Sequence, residues 1–257
     1  MTQTRRSFLK TTAAAGAGIT VLPFMASAAG HSTDTFESAG GVIKVHPVAH
    51  ASIVLETPSG VIYVDPVGEP SEYEGMAAPD LILITHHHGD HFDLETLAAI
   101  GKNGAPMITN PDVHGKLGGA MQANATALSN GESTAFNDMK VDAIPAYNLT
   151  EDRMKFHPQG RDNGYVLTLD GFRIYISGDT EDVPEMRALQ NIDLAFVCMN
   201  LPFTMDVNAA ADAVAAFAPT YVYPYHYRGR DGGTQDPAEF AALMGDAVTV
   251  KFAAWYS

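Results

Sequence analysis

Residues 81–91 constrain this chain more than any other stretch. Leu81-Ile82-Leu83-Ile84-Thr85 is an uninterrupted apolar, β-rich run, and it stops at His86-His87-His88-Gly89-Asp90-His91. Such a run marks a strand buried on both faces, so the chain must build a sheet covered on both sides. Side chains that directly follow it sit where a rigid strand ends in a loop, and the scaffold then fixes their geometry. His86 and His88 are two apart and emerge on one side of extended backbone, whereas His87 points away. Asp90 and His91 fall on the following turn, where they can converge on a second point nearby. Imidazole nitrogens with a carboxylate oxygen are the donors that catalytic zinc sites use. A chance cluster, or a surface tract that scavenges metal, predicts no strand before the histidines and no partners elsewhere in the chain. Both expectations fail here.

Around this run the pattern alternates between hairpins and βα units. Val42–His46, Ile53–Glu56 and Val61–Asp65 read as strands, the last two separated by a Pro58-Ser59-Gly60 turn. Asp93 reads as the N-cap of a helix to about Ile100, Met107–Thr109 as a short strand, and Pro111 as the first turn of another helix. Residues 125–145 look like hairpin strands, and residues 148–163 like a polar, flexible loop. Tyr165–Leu169 and Phe172–Ile176 flank Asp170-Gly171, a type I′ turn signal. A helix near Val183–Leu189, a strand over Leu194–Met199, a helix over Asn208–Ala218, a strand over Tyr221–Tyr223, a helix over Pro237–Met244 and a strand over Val248–Phe252 complete the chain. No low-complexity linker divides it and no short repeat appears, but the two halves have similar make-up. The order implies an α/β fold of stacked sheets with helices outside.

His86-His87-His88-Gly89-Asp90-His91 resembles the His-x-His-x-Asp-His signature of the metallo-β-lactamase superfamily, with His87 and Gly89 in the variable positions. The resemblance extends from about Val42 to the C-terminus. It implies a four-layer αβ/βα sandwich that holds two divalent ions, expected to be zinc, with manganese or iron as alternatives. Asp65, after its strand, fills the family's place for an acid that orients the metal ligands. Asp179 in Ser177-Gly178-Asp179-Thr180 fits the bridging aspartate, and His226 in Pro224-Tyr225-His226 fits the last histidine. On this reading His86, His88 and a third group hold one ion, Asp90, His91 and His226 hold the other, and Asp179 lies between. The bridging water becomes a nucleophile near neutral pH, with Asp90 orienting it.

The chain departs from the family pattern at that third group. Many relatives carry a histidine in a Pro-Ala-x-His-like strand end, and here the sequence is Pro145-Ala146-Tyr147-Asn148. An amide oxygen is a weak zinc ligand. His157, nine residues on, is the expected replacement, swinging in from its loop, with Asn148 as the alternative ligand. His50 is expected to line the site or to pack behind it. His31, His46 and His114 carry no functional reading. Cys198, the one cysteine, lies in an apolar strand and reads as a buried structural thiol.

The N-terminus reads as an export signal rather than as part of this fold. Arg5-Arg6-Ser7-Phe8-Leu9-Lys10 resembles a twin-arginine motif, an apolar stretch runs from Thr11 to Met25, and Ala26-Ser27-Ala28 is a small-x-small cleavage pattern. The stretch is 15 residues long and contains Gly16, Gly18 and Pro23, short of the roughly 20 a membrane span needs. The expected division is a signal peptide over 1–28 and a hydrolase domain over 29–257, in the periplasm or otherwise exported, with no stable membrane anchor. The mature 229 residues keep 12 of the 15 basic residues against 30 acidic ones, a net charge of −18. A chain so acidic repels phosphate backbones unless a basic groove concentrates charge locally. Arg228 and Arg230 are the nearest approach to one, and Asp231 follows them. Nucleic acid is therefore excluded and a small-molecule substrate expected.

No Ser-His-Asp arrangement with a nucleophile elbow is present, so a covalent route has no support. The expected activity is hydrolysis of a small ester, lactone, amide or phosphoester. The alternative, which the missing third histidine favours, is a non-catalytic metal-binding or sensing protein of the envelope. Substrate identity depends on the loops around 66–79, 148–163 and 227–236.

Overall fold

The sheets are where the sequence pattern becomes architecture. In the computed structural model, which describes residues 33–101, 103–229 and 234–256, two seven-stranded sheets account for every strand. The export segment, His31, Arg230 and Asp231 lie outside the described residues. His31–Ser257 forms one unit by its internal contacts.

The first sheet runs in chain order: β1 (Asp34–Ser38), β2 (Gly41–Ala49), β3 (Ser52–Thr57), β4 (Gly60–Val64), β5 (Leu81–Ile84), β6 (Met107–Thr109) and β7 (Ala125–Ala127). The second comprises β8 (Ser133–Phe136), β9 (Met139–Ala146), β10 (Asp162–Leu169), β11 (Phe172–Ile176), β12 (Leu194–Cys198), β13 (Tyr221–Tyr225) and β14 (Thr249–Val250), again in chain order. In each sheet the first four strands pair antiparallel and the last four parallel. The similar make-up of the two halves is thus a duplicated topology. The parallel pairs need crossovers, which supply helices α1 (Leu94–Ile100), α2 (Pro111–Lys116) and α3 (Gly119–Ala123) in one half, and α4 (Pro184–Arg187), α5 (Val207–Phe217) and α6 (Pro237–Met244) in the other.

Alternation sorts the apolar side chains into layers. On β3, β4 and β5, residues Ile53, Leu55, Ile62, Val64, Leu81 and Leu83 enter the core shared with the second sheet. Their neighbours Val54, Tyr63, Ile82 and Ile84 pack instead with Leu97 of α1 and Val113 of α2. Both faces of β5 are covered, as its apolar run requires. The same division gives helix, sheet, sheet and helix layers.

Local signals hold where side chain and backbone agree. The Asp93 carboxylate caps α1 by accepting from the Glu95 and Thr96 amides. Asp170 and Gly171 both have positive φ, at 46° and 88°, as a type I′ turn requires. Two expectations need correcting. Residues 125–145 are not one set of hairpins, because β7 joins β6 in the first sheet and only β8 and β9 pair as a hairpin. The passage between sheets falls in the turn at Ser129–Gly131, where the Gly131 amide donates to Ala143 O. The segment 148–163 is not a flexible loop throughout, since it folds through successive turns that bury His157 completely. β1 and α3 carried too little apolar periodicity to be expected.

Candidate metal centre

His50, Asp65, His86, Asn148, Asp179 and His226 all follow directly or almost directly on the C-terminal ends of β2, β4, β5, β9, β11 and β13. These ends lie on one side of their sheets, the place where open α/β sheets build sites. Three of the residues depart from ordinary backbone: His50, Asp65 and His226 have φ of 51°, 45° and 47°. Left-handed backbone at non-glycine residues costs energy and gathers at functional sites. Gly178 also has positive φ, and a Cβ there would stand 2.9 Å from Asn163 O. The turn that delivers Asp179 therefore needs glycine at 178.

The donors fall into three groups, His86 with His88 and His157, His86 with His91 and Asp179, and His50 with Asp90 and His226, of which the middle one links two clusters. In the first cluster, the rings of His86, His88 and His157 face one another with centroids 4.6–5.0 Å apart, and their ligand atoms lie within 4.8 Å of one another. In the second cluster, His91 and His226 have ring centroids 4.9 Å apart. His226 Nε2 lies 3.5 Å from Asp90 Oδ2, which His50 Nε2 approaches to 3.2 Å. Asp179 stands between the clusters and divides its oxygens. Oδ2 is 3.4 Å from His157 Nε2, while Oδ1 is 3.3 Å from His226 Nε2 and 3.5 Å from His91 Nε2.

These groups fit cations rather than one another. Nε2 of His86, His91 and His157, together with Asp179 Oδ1, are buried without a hydrogen-bond partner, which costs about 1–3 kcal/mol per atom. Two donors about 2.05 Å from one tetrahedral ion stand about 3.3 Å apart, close to the separations around Asp179. A hydrogen bond would draw them closer.

A second set of contacts aims the rings. Asp65, fully buried, accepts from the Thr85 amide at 2.7 Å, from Thr85 Oγ1 at 2.6 Å and from His91 Nδ1 at 2.8 Å. That leaves His91 Nε2 turned toward Asp179. Asp162 does the same for His157, 3.1 Å from its Nδ1, and is itself held by Arg161 Nε at 2.7 Å and Nη2 at 2.8 Å. Asn200 lies 3.0 Å from both ring nitrogens of His226, and its Oδ1 accepts from Thr204 Oγ1. Asp162 and Asn200 were not foreseen. Their signal was weak: a carboxylate opening β10 five residues after His157, and an amide just past the end of β12.

Burial and these charges set the protonation states. Burial, aided by neighbouring histidines, holds His86 well below the usual imidazole value and brings His88 down to about 4. Burial also disfavours charge on His91, but Asp179 and Asp65 outweigh it and raise His91 to about 9. Burial likewise opposes the Asp179 anion, yet His226 and His91 hold it well below the carboxylate range. Asp90 is lowered too, by its contacts with His50 and His91 against burial.

His157, expected in a mobile loop, therefore sits pinned inside the first group and has no need to swing in. Asn148 is buried, and its amide nitrogen donates to Arg153 O at 3.0 Å and Phe203 O at 2.6 Å. His50 joins Asp90 and His226. His87 turns away to Asp112 at 2.8 Å, His46 contacts Glu56, and Cys198 is fully buried with its thiol pushed up to about 12 by burial. A cavity of about 240 Å³ opens onto the site, lined by His88, Asp90, Phe156, His157, Asp179 and Phe203. A wider surface depression near Arg187 and Asp193 holds none of these groups.

Comparison with known proteins shows the family and the fold. The family model for the beta-lactamase superfamily domain matches residues 29–226, and that for the twin-arginine translocation pathway signal sequence matches residues 2–21. A UPF0173 metal-dependent hydrolase of Thermococcus onnurineus is 34% identical over 186 residues, covering 71% of this chain and 80% of that protein. The crystal structure of a protein described as a metal-dependent hydrolase from Parabacteroides distasonis superposes with a TM-score of 0.79 at 38% identity, over 88% of this chain and 100% of that one. A metallo hydrolase from Ignicoccus hospitalis, 22% identical, shares the fold with a TM-score of 0.70 over 82% of this chain and 94% of its own.

Proposed function

Because the chain belongs to the metallo-β-lactamase superfamily and is a metal-dependent hydrolase of it, we propose that it works with two divalent cations on a small ester, lactone, amide or phosphoester. The observation that carries this reading is the division of Asp179, one oxygen toward each histidine group. His86, His88 and His157 would hold one cation, and Asp90, His91 and His226 the other. Zinc suits a donor set of imidazole and carboxylate, and manganese or iron are the alternatives. When bound, the cations supply Lewis acidity, which lowers the pKa of water and stabilises negative charge on the attacked group.

The chain's own residues do the rest. Asp179 is nearly fully buried and would serve as a fixed anion for both donor clusters, whereas the Asp90 side chain is 48% exposed and lines the cavity. Asp90 can therefore accept a hydrogen bond from the attacking water and orient it, held in place by His50. Asp65 and Asp162 fix the tautomers of His91 and His157, so that Nε2 of each faces inward. Membership in a family of hydrolases favours this reading over a non-catalytic metal binder. The cavity admits a small molecule, and the net charge of −18 after residue 28 disfavours nucleic acid.

The twin-arginine match and the start of the domain match at residue 29 support a cut after Ala28 and an exported, periplasmic enzyme. Among the described residues, no helix is long and apolar enough to cross a membrane. The test is turnover of p-nitrophenyl acetate, a lactone, an anilide and bis-p-nitrophenyl phosphate by residues 29–257 loaded with zinc or manganese. Hydrolysis of at least one substrate, lost on chelation and reduced at least 100-fold by Asp90→Asn, is expected. No turnover of any of them, or full activity in Asp90→Asn, contradicts the reading.

A further inference from the structure

The cavity over the site has six lining residues, and four of them, His88, Asp90, His157 and Asp179, belong to the cation groups. Whatever recognises the substrate beyond the cations therefore falls, among the described residues, to Phe156 and Phe203. Phe156 lies between β9 and β10, Phe203 between β12 and α5. The two rings meet edge to face with centroids 5.1 Å apart, both partly exposed. Their backbones are anchored close to the site: Phe203 O accepts from the Asn148 amide, and Phe156 O from Arg161 Nη2, each at 2.6 Å. The rings are thus built walls.

Among the described residues that line the cavity there is no lysine or arginine. The two guanidiniums of this segment are engaged, Arg153 with Glu181 at 2.8 Å and Arg161 with Asp162 at 2.7 Å. The Lys155 ammonium lies 5.1 Å from the Phe156 ring centroid and is outside the lining. Leu149 and Met154, on the same segment, are 52% and 46% exposed. A cavity of about 150 Å³ accepts benzene, so about 240 Å³ holds a group of that bulk beside a scissile carbonyl.

We propose that Phe156 and Phe203 form an apolar acyl subsite, and that the substrate class is a neutral carboxylic ester or lactone with a hydrophobic acyl group of phenyl or hexanoyl size. This rests on the two-cation reading above. In the reaction the oxygen of water bonds to the acyl carbon, and the bond from that carbon to the alkoxy oxygen breaks with its electron pair. A proton from the water ends on the alcohol, and acid and alcohol leave without any redox partner.

The test compares kcat/KM for p-nitrophenyl acetate, butyrate, hexanoate and benzoate, for a mono-p-nitrophenyl ester of adipic acid, and for bis-p-nitrophenyl phosphate. The metal-loaded wild type is set beside Phe156→Ala, Phe203→Ala and the corresponding leucine variants. Each buried methylene is worth about threefold to fourfold, so hexanoate should exceed acetate by roughly 100-fold across four methylenes. The anionic adipate ester should fall below hexanoate. The hexanoate-to-acetate ratio should drop about tenfold in each alanine variant, from the apolar area removed, and recover in part with leucine. A flat chain-length series, a preference for the adipate ester or the phosphodiester, or a ratio unmoved in folded variants would overturn the subsite. Equilibrium binding of hexanoate against acetate separates the two readings. Selective binding of hexanoate that is lost in the alanine variants, without turnover of any ester, upholds the subsite while the hydrolytic reading fails. Equal binding of both acids overturns the subsite.

Discussion

Replacing His157 with alanine discriminates most sharply between the two residues that could complete the first cation group. His157 supplies one of three imidazoles whose ring centroids lie within 5.0 Å of one another, and its Nε2 is buried without a hydrogen-bond partner. Loss of a residue that merely orients a ligand costs 10–100-fold in metal affinity. Loss of the ligand itself should cost at least about 100-fold, or about 2.7 kcal/mol. The fold should survive, because Asp162 keeps both contacts with Arg161 and no buried charge is left unpaired. Asn148→Ala should do the reverse. It removes two donated hydrogen bonds, to Arg153 O and Phe203 O, at about 0.5–1.5 kcal/mol each, and so costs about 1–3 kcal/mol of stability with metal retained. The Asn148 amide N–H to His157 O survives this change, being backbone. Elemental analysis, zinc titration against a chromophoric chelator, and thermal unfolding give the readouts. Wild-type metal content and affinity in His157→Ala, with an equivalent lost in Asn148→Ala, would refute the assignment.

Asp65→Asn and Asp162→Asn should each weaken a different cation by about 10–100-fold, because each carboxylate fixes a different histidine; biphasic chelator titrations will show whether the losses separate. In the metal-free protein His91 is raised from 6.5 to about 9, so its stabilisation is full below about pH 6.5 and is lost as pH rises through 9. Loading near pH 7 must displace that proton and should tighten as pH rises, which calorimetry in buffers of different ionisation enthalpy and unfolding of the metal-free protein against pH can measure. Arg5→Lys combined with Arg6→Lys should leave the protein in the cytoplasm with its signal uncut, and fractionation with N-terminal sequencing will show normal export and a start near Ala29 if that assignment is wrong.

The sequence revealed those parts of the site that depend on local order along the chain. An apolar strand followed by His86, His88, Asp90 and His91 encodes its own geometry, because two-residue alternation and one turn place all four. Asp65, Asp179 and His226 were legible only through resemblance, since what unites them is the shared end of strands β4, β11 and β13, a long-range property. His157 is legible as a donor but not as a buried one. Its segment is polar with Pro158 and Gly160, which reads as loop, while its burial comes from Asp162, Arg161 and Asn148 closing around it. Asp162 and Asn200 left only a weak signal, because a carboxylate or amide becomes a positioning group only when the fold brings a histidine beside it. The passage of the chain between sheets at residues 127–133 is illegible in the sequence for a similar reason. Strand pairing is decided by which edge is open, which the residues themselves do not state.

If Asp179 joins two cations, activity must depend on the second ion as well as the first. The most direct measurement is the molar ratio of metal to residues 29–257 during a stepwise titration of metal-free protein, with hydrolysis followed at each step. Activity should rise to its plateau at two ions per chain, with a lower plateau ratio in Asp179→Asn. Full activity at one ion per chain, unchanged by a second, would contradict the two-cation reading.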